Sequence, residues 1–544
     1  MIKLLQNLVI GIIVQMYLYR FCIACIIIIA LTILRQIHII QLNSYNLDQQ
    51  LVWYKKNSTS FAINIVLLIV ALIYYELKII LLYYLIIISI FALLIENLPR
   101  KQKKKLVFTA RIKRLIFLCV ILFIPFIIPT FIYKNEFGLK FSIYALALAP
   151  LIIFIAYLIL LPFENGLRKK FMNEAKQIIQ SNADLYVIGI TGSFGKTSVK
   201  YYLSRLLKLK YSVCMTPESY NTAMGATLTI KNDLKNINDI FVCEMGARRV
   251  GDISEICNVV IPNGAILTDI GNMHLDTFKN IDNVAKTKFE LVDSAYNNIY
   301  EGKLDINRGI ILLNGDNDLI REKASKYLNK DKILYFYGLD NKNDFYATNI
   351  IGSDRGISFV IKRKDDKNFN LQIETRLLGK YNVMDLLAAV SYSLLLKIDE
   401  RDIRNEVRLI ESVPHRLQLL DGDKNNLIID DAYNSNPSGA RNACDVLSTF
   451  NGYTKIIITP GMVELYDKQD IENESFAEYA GKNVDYAIIV GHTNKLALDK
   501  GFKNSMDGTK IYYYDRVEDA INFARTGIRG KKVILLENDL SDNY

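Results

Sequence analysis

Two regimes of hydrophobic patterning divide the chain. Up to about residue 170, apolar positions form long, nearly uncharged runs at 8–34, 61–75, 79–95, 115–133 and 141–163. A helix needs roughly 17–25 mostly apolar residues to cross the hydrocarbon core of a bilayer. Three runs meet that length and the two around Glu76 and Lys78 are short, so the pattern predicts four or five spans. No cleavage-site pattern follows the first run, which reads as a retained span. Beyond Lys170 the runs shorten to strand length, at 185–190, 240–243, 264–268, 310–313, 333–336, 427–429, 455–459, 487–490 and 533–536. Helical patterns lie between many of them, which is the βαβ signature of a mostly parallel sheet. The expected architecture is an α-helical membrane domain over 1–170 followed by α/β domains. A central domain spans 171–404 and a Rossmann-like C-terminal domain 405–544, divided after a helix near 383–396, where Pro414 and a polar turn at 421–426 punctuate the chain.

Charge changes this picture by orienting it. The loop 96–114 carries Arg100, Lys101, Lys103, Lys104, Lys105, Arg111, Lys113 and Arg114 without an acid after residue 96. Lys and Arg in short loops stay on the cytoplasmic side, so this loop is read as inside and the 134–140 turn as outside. The last span then returns Arg168, Lys169 and Lys170 to the cytoplasm. Five spans place the start of the chain outside, and four place it inside. The loop accounts for much of the net charge of +10 over 544 residues. An anionic lipid surface is therefore the expected partner, and nucleic acid is not. The seven cysteines show no zinc spacing outside the apolar runs, and a reducing compartment suits them.

Candidate chemistry starts at Thr191-Gly192-Ser193-Phe194-Gly195-Lys196-Thr197, directly after the 185–190 run. A strand, a glycine loop and a helix start beginning Lys-Thr form a phosphate cradle. Backbone N–H groups and the helix dipole face the anion, Lys196 reaches the terminal phosphates, and the Thr197 hydroxyl ligates Mg²⁺. Ile190 stands where the general pattern has another glycine. Further polar groups end later strand-like runs: Glu244, His274, and Asn314 within Leu313-Asn314-Gly315-Asp316. Ligands in open α/β sheets gather at such carboxyl ends, so Glu244 can face the same metal as Thr197. Lys288 follows His274 closely, and its plain reading is an ordinary surface lysine.

Together, in this order, these pieces resemble the Mur ligase family, most closely its muramoyl-tripeptide–D-alanyl-D-alanine ligase branch. The matching segments are TGSFGKT, the Asn221 region (ESYNTAMGATLTI), EMGARRVGDI, TDIGNMHLDTF, AKTKFE, LNGDND, Gly379-Lys-Tyr-Asn382, Pro414-His-Arg416 and Asp430-Asp431-Ala-Tyr433-Asn434-Ser-Asn436-Pro437. The resemblance covers about 183–470 and accounts for Ile190, because that family's loop lacks the earlier glycine. It implies an ATP-dependent ligase. A carboxylate takes the γ-phosphate of ATP to give an acyl phosphate, and an amino group then displaces phosphate to form an amide.

The resemblance also implies roles for single residues. Gly192, Ser193, Gly195, Lys196 and Thr197 would hold the ATP phosphates. Thr197, Glu244, His274 and a carbamylated Lys288 would hold two Mg²⁺ ions, with Lys196, His274 and Lys288 acting in catalysis. Asn314 and Asn382 would lie on the adenine side. Arg416 and Asp431 would reach phosphate and ribose from the C-terminal domain, and Asn221, Tyr433, Asn434 and Asn436 would meet the other substrates.

Departures from the family concern the substrate. Membrane spans stand where those ligases carry a soluble domain for the uridine-diphosphate end. Tyr466 replaces a glycine, 536–540 reads Leu-Glu-Asn-Asp-Leu in place of a Lys-Gly-Ser segment, and the His-Asn pair becomes Tyr381-Asn382. The expected protein is a multi-pass inner-membrane ligase with cytoplasmic catalytic domains. It would act on a carboxylate acceptor, membrane- or lipid-linked, and an amino acid or short peptide in cell-envelope (cell wall) biogenesis. The alternatives are a conventional muramoyl-tripeptide ligase of peptidoglycan synthesis, a non-catalytic ATP-binding scaffold and an ATP-driven transporter.

Overall fold

The computed structural model describes the chain except Met1, Ser44, 78–79, 98–104, 134–135, Ser219, Asn272, His274, 301–308, 328–332, 422–425, Asn434, Glu464, 466–467 and 540–544, with backbone alone over 2–20, 56, 59–60, 75–76, 80–83, 136, 275–276, 300 and 421. Residues 98–104 of the basic loop, Tyr466 and the candidate residues His274 and Asn434 thus lie outside the described residues. The chain forms two compact units, Met1–Lys169 and Lys170–Tyr544.

The first unit is helical: Ile2–Leu42, Leu47–Lys56, Ser58–Leu77, Ile80–Asn97, Ala110–Ile132 and the start of Glu136–Ser181, within which the unit boundary falls. Three stretches among the described residues are long and apolar enough to cross a membrane: Phe21–Leu42, Ala110–Ile132 and Phe137–Ser181. The shorter apolar helices are Phe61–Tyr74 and Tyr84–Asn97. The packed interior, with Cys25, Ile37, Leu67, Cys119 and Ile153, is as apolar as the outside, where Phe91, Phe117 and Ile132 stand exposed. Exposed apolar surface on this scale marks a lipid-facing or buried interface.

In the second unit nine strands form one sheet: β1 (Tyr186–Thr191), β2 (Val213–Met215), β3 (Ile240–Glu244), β4 (Gly264–Leu267), β5 (Ile310–Asn314), β6 (Leu334–Gly338), β7 (Phe345–Ser353), β8 (Gly356–Arg363) and β9 (Leu371–Thr375). Their order is β2-β3-β1-β4-β5-β6-β7-β8-β9, parallel through β7 and antiparallel for the last two pairings. Strands β1, β3, β4 and β5 are buried throughout, as strands covered on both faces must be. Because successive side chains point to opposite faces, Val187, Phe241, Ala265 and Leu313 feed one core while Ile188, Val242, Ile266 and Leu312 feed the other. Helices Asp252–Val260 and Ile281–Tyr300 cover the first face, and Lys196–Leu207 and Lys380–Leu395 the second.

The remaining strands, β10 (Gln418–Asp421), β11 (Asn426–Asp431), β12 (Thr454–Thr459), β13 (Tyr486–Val490), β14 (Ile511–Tyr514) and β15 (Lys532–Glu537), form a second sheet in the order β10-β11-β15-β12-β13-β14. All its pairings are parallel except β10 with β11. Apolar N-terminal helices followed by a mostly parallel central sheet and a C-terminal α/β domain are the architecture the hydrophobic pattern predicts.

Candidate active site

Strand register assembles the site. Ile190 at the end of β1 pairs with Glu244 at the end of β3, and Thr191 pairs with Leu267 at the end of β4. The glycine loop, Glu244 and Thr268 are therefore neighbours at one sheet edge. The loop is braced by its surroundings: Ser193 N–H donates to Asp269 O at 2.8 Å, Gly271 N–H donates to Ser193 Oγ at 2.9 Å, and Thr268 Oγ1 donates to Phe194 O. Gly195 caps the helix Lys196–Leu207 at φ +77°, a left-handed conformation costly for residues with a Cβ. A Cβ there would also stand 2.3 Å from Asp385 Oδ1.

Lys196 Nζ donates to Gly192 O at 2.8 Å and Ser193 O at 3.3 Å, so its ammonium lies folded into the loop. Burial and the nearby Arg416 lower its pKa to about 8, against the pull of Glu244 and Asp385. Thr197 Oγ1 donates to Glu244 Oε1 at 3.0 Å, and Asn221 Nδ2 reaches the same oxygen at 3.4 Å. Lys200, one turn beyond Lys196, ion-pairs with Glu244 Oε2 at 3.0 Å and donates to Glu218 O, with both charged side chains almost wholly buried. Among the described residues, Glu244 Oε2 has no aligned hydrogen bond of its own. A buried carboxylate beside a hydroxyl at a helix N-terminus is a hard-oxygen set suited to Mg²⁺, and the glycine loop that a Cβ would fill suits a triphosphate. The residues present fit ATP and Mg²⁺.

Lys288 is buried, 4% exposed, rather than on the surface. It makes no hydrogen bond or ion pair among the described residues. Burial first, and then Lys196, bring its ammonium down to about 7, opposed by Asp252 and Glu290. The motif around Asp252 is local structure: its carboxylate accepts from the Arg248 and Arg249 N–H groups, and Glu290 accepts from Gly251 and Ser254.

Other predicted residues are occupied by the fold. Asn314 accepts from Asp316 N–H and donates to Thr268 O, holding the loop after β5. Asn382 accepts from Tyr202 OH at 2.7 Å and donates to Leu378 O. Asn436 caps the helix Pro437–Ser448 through Gly439 N–H. Arg416 lies over the Tyr433 ring at 4.7 Å. Asp431 accepts from Leu417 N–H, and burial raises it to about 6.

Three groups at the site carry no sequence signal strong enough to single them out. Asp385 touches the glycine loop, and burial raises it to about 7 against Arg416, Ser198 and Lys196. Lys200 repeats the spacing of Lys196 on its helix, the one pattern that could have flagged it. Glu537, paired with Asp431 in the sheet, accepts from Ser435 and from Thr459 Oγ1 at 2.6 Å, and burial raises it to about 7.

A phosphate-cradling loop, a buried acid at the next strand end and a second α/β domain whose Arg416 acts on the loop lysine define an ATP-using enzyme of the α/β type. Comparison with known proteins makes the class specific. Residues 190–392 match the Mur ligase middle domain, and 415–537 match the Mur ligase glutamate ligase domain. The chain is 30% identical over 359 residues to the UDP-N-acetylmuramoyl-tripeptide–D-alanyl-D-alanine ligase of Buchnera aphidicola subsp. Baizongia pistaciae, covering 66% of this chain and 73% of that one. It is 26% identical over 353 residues to the enzyme of that name from Bacillus subtilis, covering 64% and 72%. In fold it is similar to MurF ligase from Thermotoga maritima in complex with ADP, with TM-score 0.59, 24% identity and coverage of 69% and 81%. The chain belongs to the Mur ligase family, ATP-dependent enzymes that form amide bonds.

Proposed function

We propose that this protein is an ATP-dependent amide ligase that extends a cell-envelope precursor at the cytoplasmic face of the membrane. The observation that carries the reading is the cluster of Lys196, Thr197, Glu244 and a buried Lys288, without a hydrogen-bond or ion-pair partner among the described residues, around a glycine loop at one sheet edge. In this division of labour 171–404 binds ATP, 405–544 bears on it through Arg416 and Asp431, and 1–170 holds the enzyme at the membrane.

Carboxylates are poor electrophiles, so the acceptor carboxylate oxygen first attacks the γ-phosphorus, breaking its bond to ADP and leaving an acyl phosphate. The incoming amine then attacks the acyl carbon, phosphate departs, and a proton is lost as the amide forms. Lys196 swings from its loop carbonyls to the γ-phosphate and offsets charge that develops during transfer. Arg416 approaches from the C-terminal domain with a second positive charge. Thr197 and Glu244 are the groups to hold Mg²⁺, which when bound supplies Lewis-acid stabilisation of the phosphates. Lys288, brought down to about 7, is neutral in a large fraction at neutral pH, so its amine is suited to add to CO₂ with loss of a proton, and the resulting carbamate anion would help hold a second Mg²⁺. Asn314 and Asn382 shape the adenine side through the backbone they hold.

The acceptor is proposed to be lipid-linked, because the family match begins at residue 190 and an apolar helical unit precedes it. The names of the relatives favour a second reading, ligation of D-alanyl-D-alanine to a soluble nucleotide-linked muramoyl tripeptide. Purified full-length protein with ATP, labelled D-alanyl-D-alanine or amino acids, and either acceptor separates the two. ADP release and a new amide product only with the lipid-linked acid support the membrane reading, and turnover only with the soluble tripeptide overturns it.

A further inference from the structure

Lys200 is a buried cation at the site for which the reaction has no direct use. It stands one turn beyond Lys196 on the helix Lys196–Leu207, on the same face. Lys200 is 2% exposed and Glu244 1%, and a buried ion pair adds little net stability, because desolvation offsets the attraction. The ammonium joins three elements. From its helix it ion-pairs with Glu244 Oε2 at the end of β3, at 3.0 Å, and it donates to the carbonyl of Glu218 in the loop 216–222. The other carboxylate oxygen, Oε1, is left toward Thr197 Oγ1 at 3.0 Å and Asn221 Nδ2 at 3.4 Å.

The loop 216–222 runs from β2 to the helix Ala223–Asn232 and is tied to β3 at both ends. Thr216 Oγ1 accepts from Glu244 N–H at 3.0 Å, and Asn221 O accepts from Gly246 N–H at 2.7 Å. Between these ties Glu218 holds φ +37°, a left-handed conformation unfavourable for a residue with a Cβ. In that conformation its carbonyl meets the Lys200 ammonium, and a charge-assisted bond offsets the strain. Sheet order says which side of the phosphate loop this is. Strands β4 and β5, which lead to Thr268 and Asn314, lie on one side of β1, and β3 and β2 on the other. With adenine proposed on the Asn314 side, the acceptor carboxylate approaches the γ-phosphate from the side of β3 and β2. Glu218 and Tyr220 stand exposed there, beside Asn221.

We propose that Lys200 is a positioning residue that ties the carboxylate of Glu244 to the loop 216–222, so that the phosphate end of the site and the acceptor-side loop keep one register. The acceptor half of this inference rests on the proposed ligase reaction, and the tether itself does not.

Hydrogen exchange of the full-length protein tests the tether, with Lys200→Met as an apolar side chain of similar length. Loss of one charge-assisted bond should speed exchange in 216–222 about tenfold, with 186–191 unchanged. Glu218→Pro forbids φ +37° but keeps the Lys200–Glu244 pair, and it should speed the same segment. Calorimetric titration with ADP and Mg²⁺ separates the two variants. Binding should strengthen in Lys200→Met, where a cation beside Glu244 is gone, and stay at the wild-type level in Glu218→Pro. Strengthened binding is a change that loss of folding cannot mimic. ADP release is then followed with a polyprenyl-diphosphate-linked or a soluble nucleotide-linked muramoyl tripeptide. The KM for the acceptor should be about tenfold higher in both variants, and the KM for ATP not raised. Unchanged exchange in 216–222, equal acceleration in 186–191, weaker binding of ADP and Mg²⁺ in Lys200→Met, or an unchanged acceptor KM would overturn the proposal. Wild-type protein that releases ADP with neither acceptor sinks the ligase reading, and exchange and titration still decide the tether.

Discussion

At Lys288, burial and the neighbouring Lys196 compete with Asp252 and Glu290, and the outcome is an ammonium that loses its proton near neutrality. Carbamate formation consumes the neutral amine, so activity in bicarbonate buffer should rise as pH rises through about 7. Lys288→Ala should lower ligation roughly 10²–10³-fold, the scale of losing one preorganised electrostatic group, with partial return on adding a short carboxylic acid. Unchanged turnover in that variant, read as ADP release dependent on acceptor, removes the carbamate from the mechanism. The same residue couples stability to pH. Its folded pKa is depressed from 10.5 to about 7, so between those values the unfolded chain binds more protons and stability rises with pH. Lys200 presents the opposite case, a charge whose partner is in place. Removing it as Lys200→Ala leaves Glu244 buried without its cation, and a cost of about 3–5 kcal/mol is expected in denaturant unfolding. Because Thr197 and Glu244 are the proposed Mg²⁺ holders, Mg²⁺ with ADP should raise the Tm of Lys200→Ala more than that of wild type. An equal rise in both would separate Glu244 from the metal.

At the scale of elements, legibility followed how local each signal is. The central strands β1, β3, β4 and β5 are continuous apolar runs because both faces are covered, and such runs stand out in the sequence. Strand β9 alternates, with Leu371 and Ile373 inward and Gln372 and Glu374 outward, and its polar half conceals it beside a charged stretch. Strand β2 is three residues on a sheet edge, specified by pairing with β3 rather than by its own composition. The site divides in the same way. The glycine loop and Glu244 are legible because chemistry and secondary structure coincide there, whereas Asp385 gains meaning only when a distant helix is packed onto the loop. The junction of the central and C-terminal domains shows tertiary context acting on one residue. Gly379 sits at φ +83°, and a Cβ there would lie 2.9 Å from Val446 Cγ2 and 3.0 Å from Leu417 Cδ1. Gly379→Ala should therefore combine backbone strain with overpacking and cost about 1–3 kcal/mol. Since Leu417 follows Arg416, the KM for ATP should rise as well, and a thermal shift without a change in KM would confine the effect to packing.

For the whole molecule, charge and hydrophobicity make one prediction together. The first unit exposes Phe91, Phe117 and Ile132, which only a lipid environment or a large apolar partner would cover. Basic residues concentrate at 100–114, and Arg168, Lys169 and Lys170 follow the last apolar stretch. In the proposed topology both groups face the cytoplasm, and the phosphate loop stands on the side where ATP is. The chain should therefore stay in the membrane pellet through alkaline carbonate. Protease added outside spheroplasts should leave 170–544 intact and digest it once the membrane is permeabilised. Replacing Lys101, Lys103, Lys104 and Lys105 together by Gln weakens the orienting charge without adding acid, so a protease-sensitive fraction should appear in intact spheroplasts. A catalytic unit digested from outside in the unaltered protein would reverse the topology and separate the ligase from its ATP, and the membrane-face reaction could not stand.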